Sequence, residues 1–128
     1  MVISAYIAIE RNKMNIREIV KEYNKNVDKA NEYKITDKTV KYALMVEKEF
    51  FDFSIDGYDI VPSYLGELYF EWDSKEVSFG VAIHENKATL ECLSKTNDAD
   101  TYIESYDLDD KESVEELVQV VSDFLYGC

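Results

Sequence analysis

The sequence predicts an α+β fold, in which an antiparallel β-meander of four or five strands carries helices packed mainly on one face. Two patterns predict it. Apolar and polar residues alternate through much of residues 67–108, and apolar residues recur at helical spacing after Asp109. The composition predicts a single acidic domain, 1–128, because hydrophobic residues make up 46% of the chain and it contains only one Pro and four Gly.

The strands are predicted from the direction in which alternate side chains point. Leu68, Phe70 and Trp72 share one face of a strand, and the polar residues between them share the other. The same alternation recurs in residues 77–83 and 88–92, and 102–108 is a fourth strand. Short polar turns separate the first three stretches, which favours antiparallel neighbours.

The first helix is predicted between Ile16 and Ala30. Asn15 can accept a hydrogen bond from the first turn, and Glu18 stands three residues later, which is the spacing of a capping box. Apolar residues then follow at helical spacing as far as Val27.

A second helix is predicted to begin after Asp37, with its apolar residues on one side. From Phe50 to Tyr58 the pattern becomes strand-like and ends at the turn signal Asp56-Gly57. We therefore expect the second helix to end close to Phe50.

The last helix is predicted from a capping box formed by Asp109 and Glu112. Its apolar residues make a continuous stripe, and a helix with one apolar stripe buries it against a sheet face. The strands and this helix therefore need each other, and we expect one shared core. Its expected members are Leu68, Phe70, Trp72, Val77, Phe79, Val81, Leu117, Val118 and Val121.

Charge is unevenly distributed along the chain, whose formal net charge is −13. Residues 1–64 carry ten Lys or Arg and eleven Asp or Glu, whereas residues 65–128 carry four and sixteen. Phosphate binding needs a basic face, so neither direct nucleic-acid binding nor an anionic membrane surface is expected. A one-sided acidic charge favours a basic partner, although a charge far from zero also simply keeps a protein soluble.

Catalysis and metal binding are not predicted. The only imidazole, His84, ends a strand, and Cys92 has no neighbour in sequence that would lower the pKa of its thiol. One His and two Cys do not supply a zinc site, and the acids from Asp98 to Asp110 lack the spacing of a calcium loop. We therefore expect no enzyme, no catalytic residue, no metal site and no cofactor.

The chain is expected in the cytoplasm of a bacterial host. Cys92 and Cys128 are expected as free thiols, which fits a reducing compartment. The apolar stretch Val2–Ile9 is either a strand, which we favour, or the start of a helix, and it lacks the basic segment and cleavage site of a signal peptide. No apolar run reaches the roughly 18 residues that a membrane span needs.

A short motif surrounds the single proline: Ile60-Val61-Pro62-Ser63, then Gly66-Glu67-Leu68-Tyr69-Phe70-Glu71-Trp72. It resembles the V-P-S/T…G-x-x-x-x-E-W core of small uncharacterised bacterial and phage proteins. In that family a helix precedes the proline, a β-meander follows the tryptophan and a short helix ends the chain, so the resemblance covers roughly residues 36–125. It implies this fold and a setting among the accessory genes of mobile elements, but no established activity and no functional residue.

These observations predict a non-catalytic acidic interaction protein. Its expected class is a small inhibitor of the antitoxin or phage anti-defence (anti-CRISPR-like) type, which binds a basic surface on a partner protein. A nucleic-acid-binding protein is among the expected partners. The predicted partner-binding residues are Asp98, Asp100, Glu104, Asp107, Asp109, Asp110, Glu112, Glu115, Glu116 and Asp123.

The alternative is a DNA mimic that competes for a nucleic-acid-binding site. Alternate residues on a strand lie about 6.5–7 Å apart, which is close to twice the ~3.4 Å charge spacing along one strand of B-DNA. Glu67 with Glu71, or Glu104 with the acids of the last helix, are the candidates for such a row. A solvated acidic face without either role is the third interpretation.

Overall fold

The computed structural model describes residues 15–27, 33–73, 77–94 and 102–126. These residues form three helices and five strands, and the predicted α+β fold is confirmed. In chain order the elements are α1 (Ile16–Lys25), α2 (Asp37–Asp52), β1 (Asp59–Pro62), β2 (Leu68–Asp73), β3 (Val77–His84), β4 (Lys87–Ser94), β5 (Tyr102–Asp107) and α3 (Lys111–Tyr126).

The five strands form one antiparallel sheet in the order β1-β2-β3-β4-β5, so each strand pairs with its neighbours in sequence. Directly opposed residues share a face of the sheet. Phe70 lies opposite Val81 on one face, whereas Glu71 lies opposite Gly80 on the other, with Glu91 beyond it on β4. One face is therefore apolar and the other mainly polar, as the alternation predicts.

The three helices pack on the apolar face. α1 contacts β1, α2 contacts β2 and β3, and α3 contacts β5, while α2 also contacts both other helices. Buried residues of helices and strands form one hydrophobic core. All the predicted core residues are buried there except Val77, whose side chain lies outside the described part of the chain.

A cluster of aromatic rings centred on Phe50 joins α2 to the sheet. The ring of Phe50 has its centroid 5.3 Å from that of Phe70, 5.6 Å from Trp72 and 5.8 Å from Tyr58. Trp72 also stacks on Phe79 at 4.9 Å, and its indole N–H donates to a backbone carbonyl in the loop before β1 at 2.8 Å. Because aromatic rings bury large apolar areas, this cluster sets the position of α2 over β2 and β3.

The first helix is shorter than predicted, because it ends at Lys25 and not near Ala30, a residue outside the described ranges. Asn26 closes it. Its backbone N–H donates to the carbonyl of Tyr23 at 3.1 Å, and its side-chain amide donates to the carbonyl of Glu22 at 3.0 Å. These bonds satisfy carbonyls that a further helical turn would otherwise use.

The predicted strand-like stretch from Phe50 to Tyr58 is wrong, because α2 continues through Phe50 to Asp52. Phe50 completes the buried stripe of this helix and is 0% exposed, whereas the adjacent Phe51 faces solvent and is 81% exposed. The apolar pair therefore belongs to a helix that buries only one of the two rings. The strand in this region, β1, begins only at Asp59.

The predicted capping box of the last helix is also wrong. α3 begins at Lys111, and Asp110 occupies the capping position. The N–H of Glu112 donates to the Asp110 carboxylate at 3.1 Å, and the N–H of Val114 donates to the Asp110 carbonyl at 3.0 Å. Asp109 does not cap because its own carboxylate binds two side chains outside the helix, as the next section describes.

The longest described helices, α2 and α3, have 16 residues each. No helix in the described ranges combines the length and the apolar character that crossing a membrane requires. The predicted strand at Val2–Ile9 lies outside the described residues.

The two adjacent phenylalanines of α2 test this packing directly. We expect Phe50→Ala to lower the free energy of unfolding by about 3–5 kcal/mol, because it opens a cavity at the centre of the aromatic cluster. Phe51→Ala removes the same atoms at a solvent-exposed position and should change the free energy of unfolding by no more than about 0.5 kcal/mol. Urea denaturation of both variants measures the difference, and equal losses would contradict the helical phase that places only Phe50 in the core.

Candidate interaction surface

Most of the predicted partner-binding acids meet where β5 ends and α3 begins. We call this surface the acidic end. β5 leads into a turn at residues 108–110, and α3 starts directly after it, so three consecutive segments present their acids close together. The described acids that define it, all of them exposed, are Glu104, Asp107, Asp109, Asp110, Glu112, Glu115 and Glu116.

The turn between β5 and α3 is fixed by hydrogen bonds that its backbone N–H groups donate. Leu108 is buried, and its N–H donates to the carbonyl of Asn86 in the β3–β4 turn at 2.7 Å. The Asp107 carboxylate accepts the N–H of Asp109 at 2.9 Å, and the N–H of Asp107 donates to the Ser113 hydroxyl at 2.9 Å. Asp107 therefore shapes the turn, which is a common use of an Asp side chain.

Asp109 ties the turn to two other elements. One carboxylate oxygen accepts the Tyr42 hydroxyl of α2, and the other accepts the Asn86 side-chain amide at 2.8 Å. These hydrogen bonds, that of Tyr42 first, hold the pKa of the Asp109 carboxyl below its ordinary value, with Lys38 and Lys41 acting in the same direction. The same hydrogen bond raises the pKa of Tyr42.

The first half of α3 carries a row of carboxylates that, unlike those of Asp107 and Asp109, do not shape the turn. Glu112, Glu115 and Glu116 are exposed, and within the described chain none of them takes part in an ion pair. Residues three and four positions apart lie on the same helix surface, where each like-charged pair costs about 0.2–0.5 kcal/mol. Only Glu112, in the first turn, gains from the helix dipole.

Glu104 extends this row onto the sheet. Its carboxylate accepts the Tyr102 hydroxyl at 2.9 Å. Burial first, and then Tyr102, Glu104 and Glu116, together raise the pKa of the neighbouring Tyr106 to about 12. Because Glu104 from β5 and Glu116 from α3 both act on one phenol, the negative charge is continuous across the two elements.

Among the described predicted acids, Asp123 does not join the acidic end. Asp123 lies near the other end of α3, is half-buried and accepts the Gln119 side-chain amide at 2.9 Å. Asp98 and Asp100 lie outside the described residues. The carboxylates of Asp107, Asp109 and Asp110 shape the turn or the helix start or bind side chains of other elements. Those of Glu112, Glu115 and Glu116 have no such role within the described chain, and the exposed Glu104 accepts only the hydroxyl of Tyr102, two residues before it.

Two residues that organise the acidic end, Tyr42 and Asn86, are not among the predicted site residues. Tyr42 is 67 positions from Asp109 in the sequence, and Asn86 is 23 positions away. No local pattern links residues so far apart. The local part of the arrangement does have a signal, because Asp107-Leu108-Asp109-Asp110 places Asp side chains where turns and helix starts use them.

The described residues give little support for a catalytic Cys–His pair or a metal site. His84 and Cys92 point to opposite faces of the sheet, since Cys92 lies opposite the buried Phe79 and His84 follows the buried Ile83 by one position. Burial raises the pKa of the Cys92 thiol, which disfavours the reactive thiolate. The described part of the chain holds no group of three or more His, Cys, Asp or Glu side chains placed to bind a metal ion.

Comparison with known proteins found no matching family model, no matching curated protein and no matching solved structure. The interpretation of the acidic end therefore depends on its geometry and charge.

The Tyr42–Asp109 hydrogen bond should stabilise the fold in a pH-dependent way. The pKa of Asp109 is lowered on folding, so its contribution is present above the ordinary value of 3.8 and is lost as the pH falls through the lowered value. We expect Tyr42→Phe and Asp109→Ala each to destabilise the protein at pH 7, and the double variant to lose less than the sum. Urea denaturation of this double-mutant cycle at pH 7, and at steps below 3.8, measures the coupling. Additive losses at pH 7 would show that the contact contributes nothing, and a coupling that does not shrink in acid would contradict its dependence on the ionised carboxylate.

Proposed function

We propose that this protein is a non-catalytic binding protein whose acidic end meets a basic surface on another protein. The observation that carries the proposal is the row of exposed carboxylates at Glu112, Glu115 and Glu116 of α3, continued by Glu104 of β5. None of these four forms an ion pair within the described chain.

The row has an energetic cost that argues for a use outside the fold. Glu115 and Glu116 lie three and four positions from Glu112, so each adds a like-charged neighbour that weakens the helix. They do not cap it, and both are exposed. A basic partner surface would turn this repulsion into attraction, because complementary charges raise the association rate and orient the two proteins as they meet.

A binder of this kind inhibits its partner when it covers a surface that the partner uses. Basic protein surfaces commonly hold nucleic-acid phosphates, so carboxylates that occupy such a surface would block it. We therefore favour a small inhibitor of the antitoxin or phage anti-defence type, acting in the cytoplasm of a bacterial host. The net charge of −13 and the resemblance around Pro62 and Trp72 support this class.

A DNA mimic is the second candidate, and the spacing on α3 favours it. Glu112 and Glu116 are about 6 Å apart along the helix axis, near twice the ~3.4 Å charge spacing along one strand of B-DNA. Glu67, one of the acids considered for a phosphate-like row on β2, instead accepts the Tyr69 hydroxyl at 3.2 Å. Glu67 is also half-buried, whereas Glu104, Glu112 and Glu116 are exposed, so we place the phosphate-like row on α3 and β5.

Charge reversal of the row tests the proposal. The partner is first captured by crosslinking the full chain in host extract and is then purified. We expect the triple variant Glu112→Lys, Glu115→Lys, Glu116→Lys to associate with it about tenfold more slowly, or slower still, at low salt, and the difference to shrink as salt screens the charges. Stopped-flow association rates across a salt series measure this effect.

A charge-matched control removes the contribution of net charge alone. Glu22→Lys on α1, Asp52→Lys at the end of α2 and Asp56→Lys in the loop before β1 change three exposed acids away from the acidic end. This variant should associate nearly as fast as the wild type. If both triple variants are slowed equally, or neither is slowed, the acidic end is only a solvated face. Displacement of the partner by excess duplex DNA would favour the DNA mimic.

A further inference from the structure

The strand that carries Glu104, β5, forms one edge of the described sheet. Edge strands expose backbone N–H and C=O groups that pair readily with another extended chain. The other end of the strand order is β1, which contains Pro62 and therefore lacks an N–H there. The two edges thus differ in what they can offer a partner.

The pairing of β4 with β5 shows which backbone groups point outward. In an antiparallel pair, alternate residues direct both backbone groups toward the neighbouring strand. The N–H of Leu108 donates to the Asn86 carbonyl at 2.7 Å and continues this ladder. Counting back by twos, the residues of β5 that face β4 are Tyr102, Glu104 and Tyr106.

The residues between them, Ile103, Ser105 and Asp107, direct their N–H and C=O groups away from the sheet. Asp107 fits this alternation, because its N–H donates to the Ser113 hydroxyl of α3 and not to β4. Within the described ranges, no hydrogen bond reaches the outward N–H or C=O groups of Ile103 and Ser105. The open edge therefore extends along Ile103–Ser105 and is closed at Asp107.

The side chains of this open edge have a distinct chemistry on each face. Ile103 and Ser105 share the face away from the helices, and Ile103 is 62% exposed, which is unusual for an isoleucine. Glu104 lies opposite the buried Leu90 and so points to the helix side, where α3, which carries Glu116, packs on β5. An added strand would therefore meet an apolar side chain on one face and two carboxylates on the other.

We propose that β5 binds an extended segment of the partner protein as an additional strand, with a Lys or Arg side chain toward Glu104 and Glu116 and an apolar side chain beside Ile103. Backbone pairing would supply part of the affinity, and the alternation of basic and apolar residues would supply specificity. This inference rests on the proposed function and describes the partner of the same acidic end more closely.

Charge argues against a second copy of this chain as the occupant. Two copies would each bring a net charge of −13 to the contact. Antiparallel pairing of β5 with itself, with Ile103 opposite Ser105, would place the two Glu104 carboxylates directly opposite each other, an arrangement that destabilises a strand pair. A basic segment relieves the repulsion that a second copy increases.

Synthetic peptides of about eight residues, the length of an ordinary strand, test the inference on the full chain. One alternates Lys and Val, and the other has the same composition with the Lys residues in one block. We expect the alternating peptide to bind more tightly, by fluorescence anisotropy, and to protect the amides of Ile103 and Ser105 from hydrogen exchange. Equal binding of both peptides, without protection of these amides, would overturn the proposal.

A pair of variants separates the backbone from the side chain at the same position. Ser105→Pro removes the outward N–H, which the β4–β5 ladder does not use, and should weaken binding of the alternating peptide about tenfold or more. Ser105→Ala keeps the N–H and should bind like the wild type. Equal affinity of the two variants would contradict pairing at this edge. If Ser105→Pro does not fold, the test is hydrogen exchange in the wild type: protection of the Ile103 and Ser105 amides by the alternating peptide supports strand pairing, and its absence contradicts it.

The outcomes also separate this inference from the proposed function. If the charge reversal on α3 slows association with the captured partner while Ser105→Pro does not weaken it, the acidic end binds through side chains alone and only the strand pairing is wrong. If neither change affects that partner, the proposed function fails as well. Protection of Ile103 and Ser105 in a dimer without peptide would identify a second copy as the occupant and overturn the inference.

Discussion

The packing of Phe50 against Phe70, Trp72 and Tyr58 is the interaction on which the rest of the structure depends. It fixes the rotation of α2 about its axis, because the buried stripe of the helix must end on this ring. That rotation directs Tyr42, two turns earlier, toward the turn after β5, where its hydroxyl reaches Asp109. The aromatic core thus positions, through a single helix, the hydroxyl that holds Asp109 in the turn before α3.

The fold could be predicted from the sequence wherever the apolar residues of a segment recur with a single clear spacing, every second residue in a strand or every third to fourth in a helix. Alternation marks β2 to β5, the apolar stripe marks α3, and Asn15 accepts the N–H of Glu18 as the capping box at α1 requires. The errors lie where tertiary packing overrides a local signal. Phe50 and Phe51 form an apolar pair that fits a strand or a helix equally, and only the aromatic cluster selects the helix. Asp109 has the right residue type to cap α3, but Tyr42 and Asn86 bind it first.

The acidic end shows how far a charge count can describe a surface. Asp107, Asp109 and Asp110 contribute to the same negative total as the glutamates of α3, yet they build the turn and the helix start. Short Asp side chains reach nearby backbone groups, whereas the longer Glu side chains on an exposed helix surface extend into water. The sequence could locate the charge, but only the hydrogen bonds separate the acids that hold the fold from those available to a partner. The open edge of β5 beside them has no signal in composition at all.

The proposal requires that the glutamates of α3 do not stabilise the fold, and this can be measured without knowing the partner. Glu115→Gln and Glu116→Gln together remove the like-charged neighbours of Glu112 and leave the first turn of α3 intact. We expect the free energy of unfolding, measured by urea denaturation, to stay equal or to rise by up to about 1 kcal/mol at low salt, and the gain to shrink as salt is added. A loss of more than about 1 kcal/mol would contradict the claim, because these carboxylates would then be stabilising the native structure.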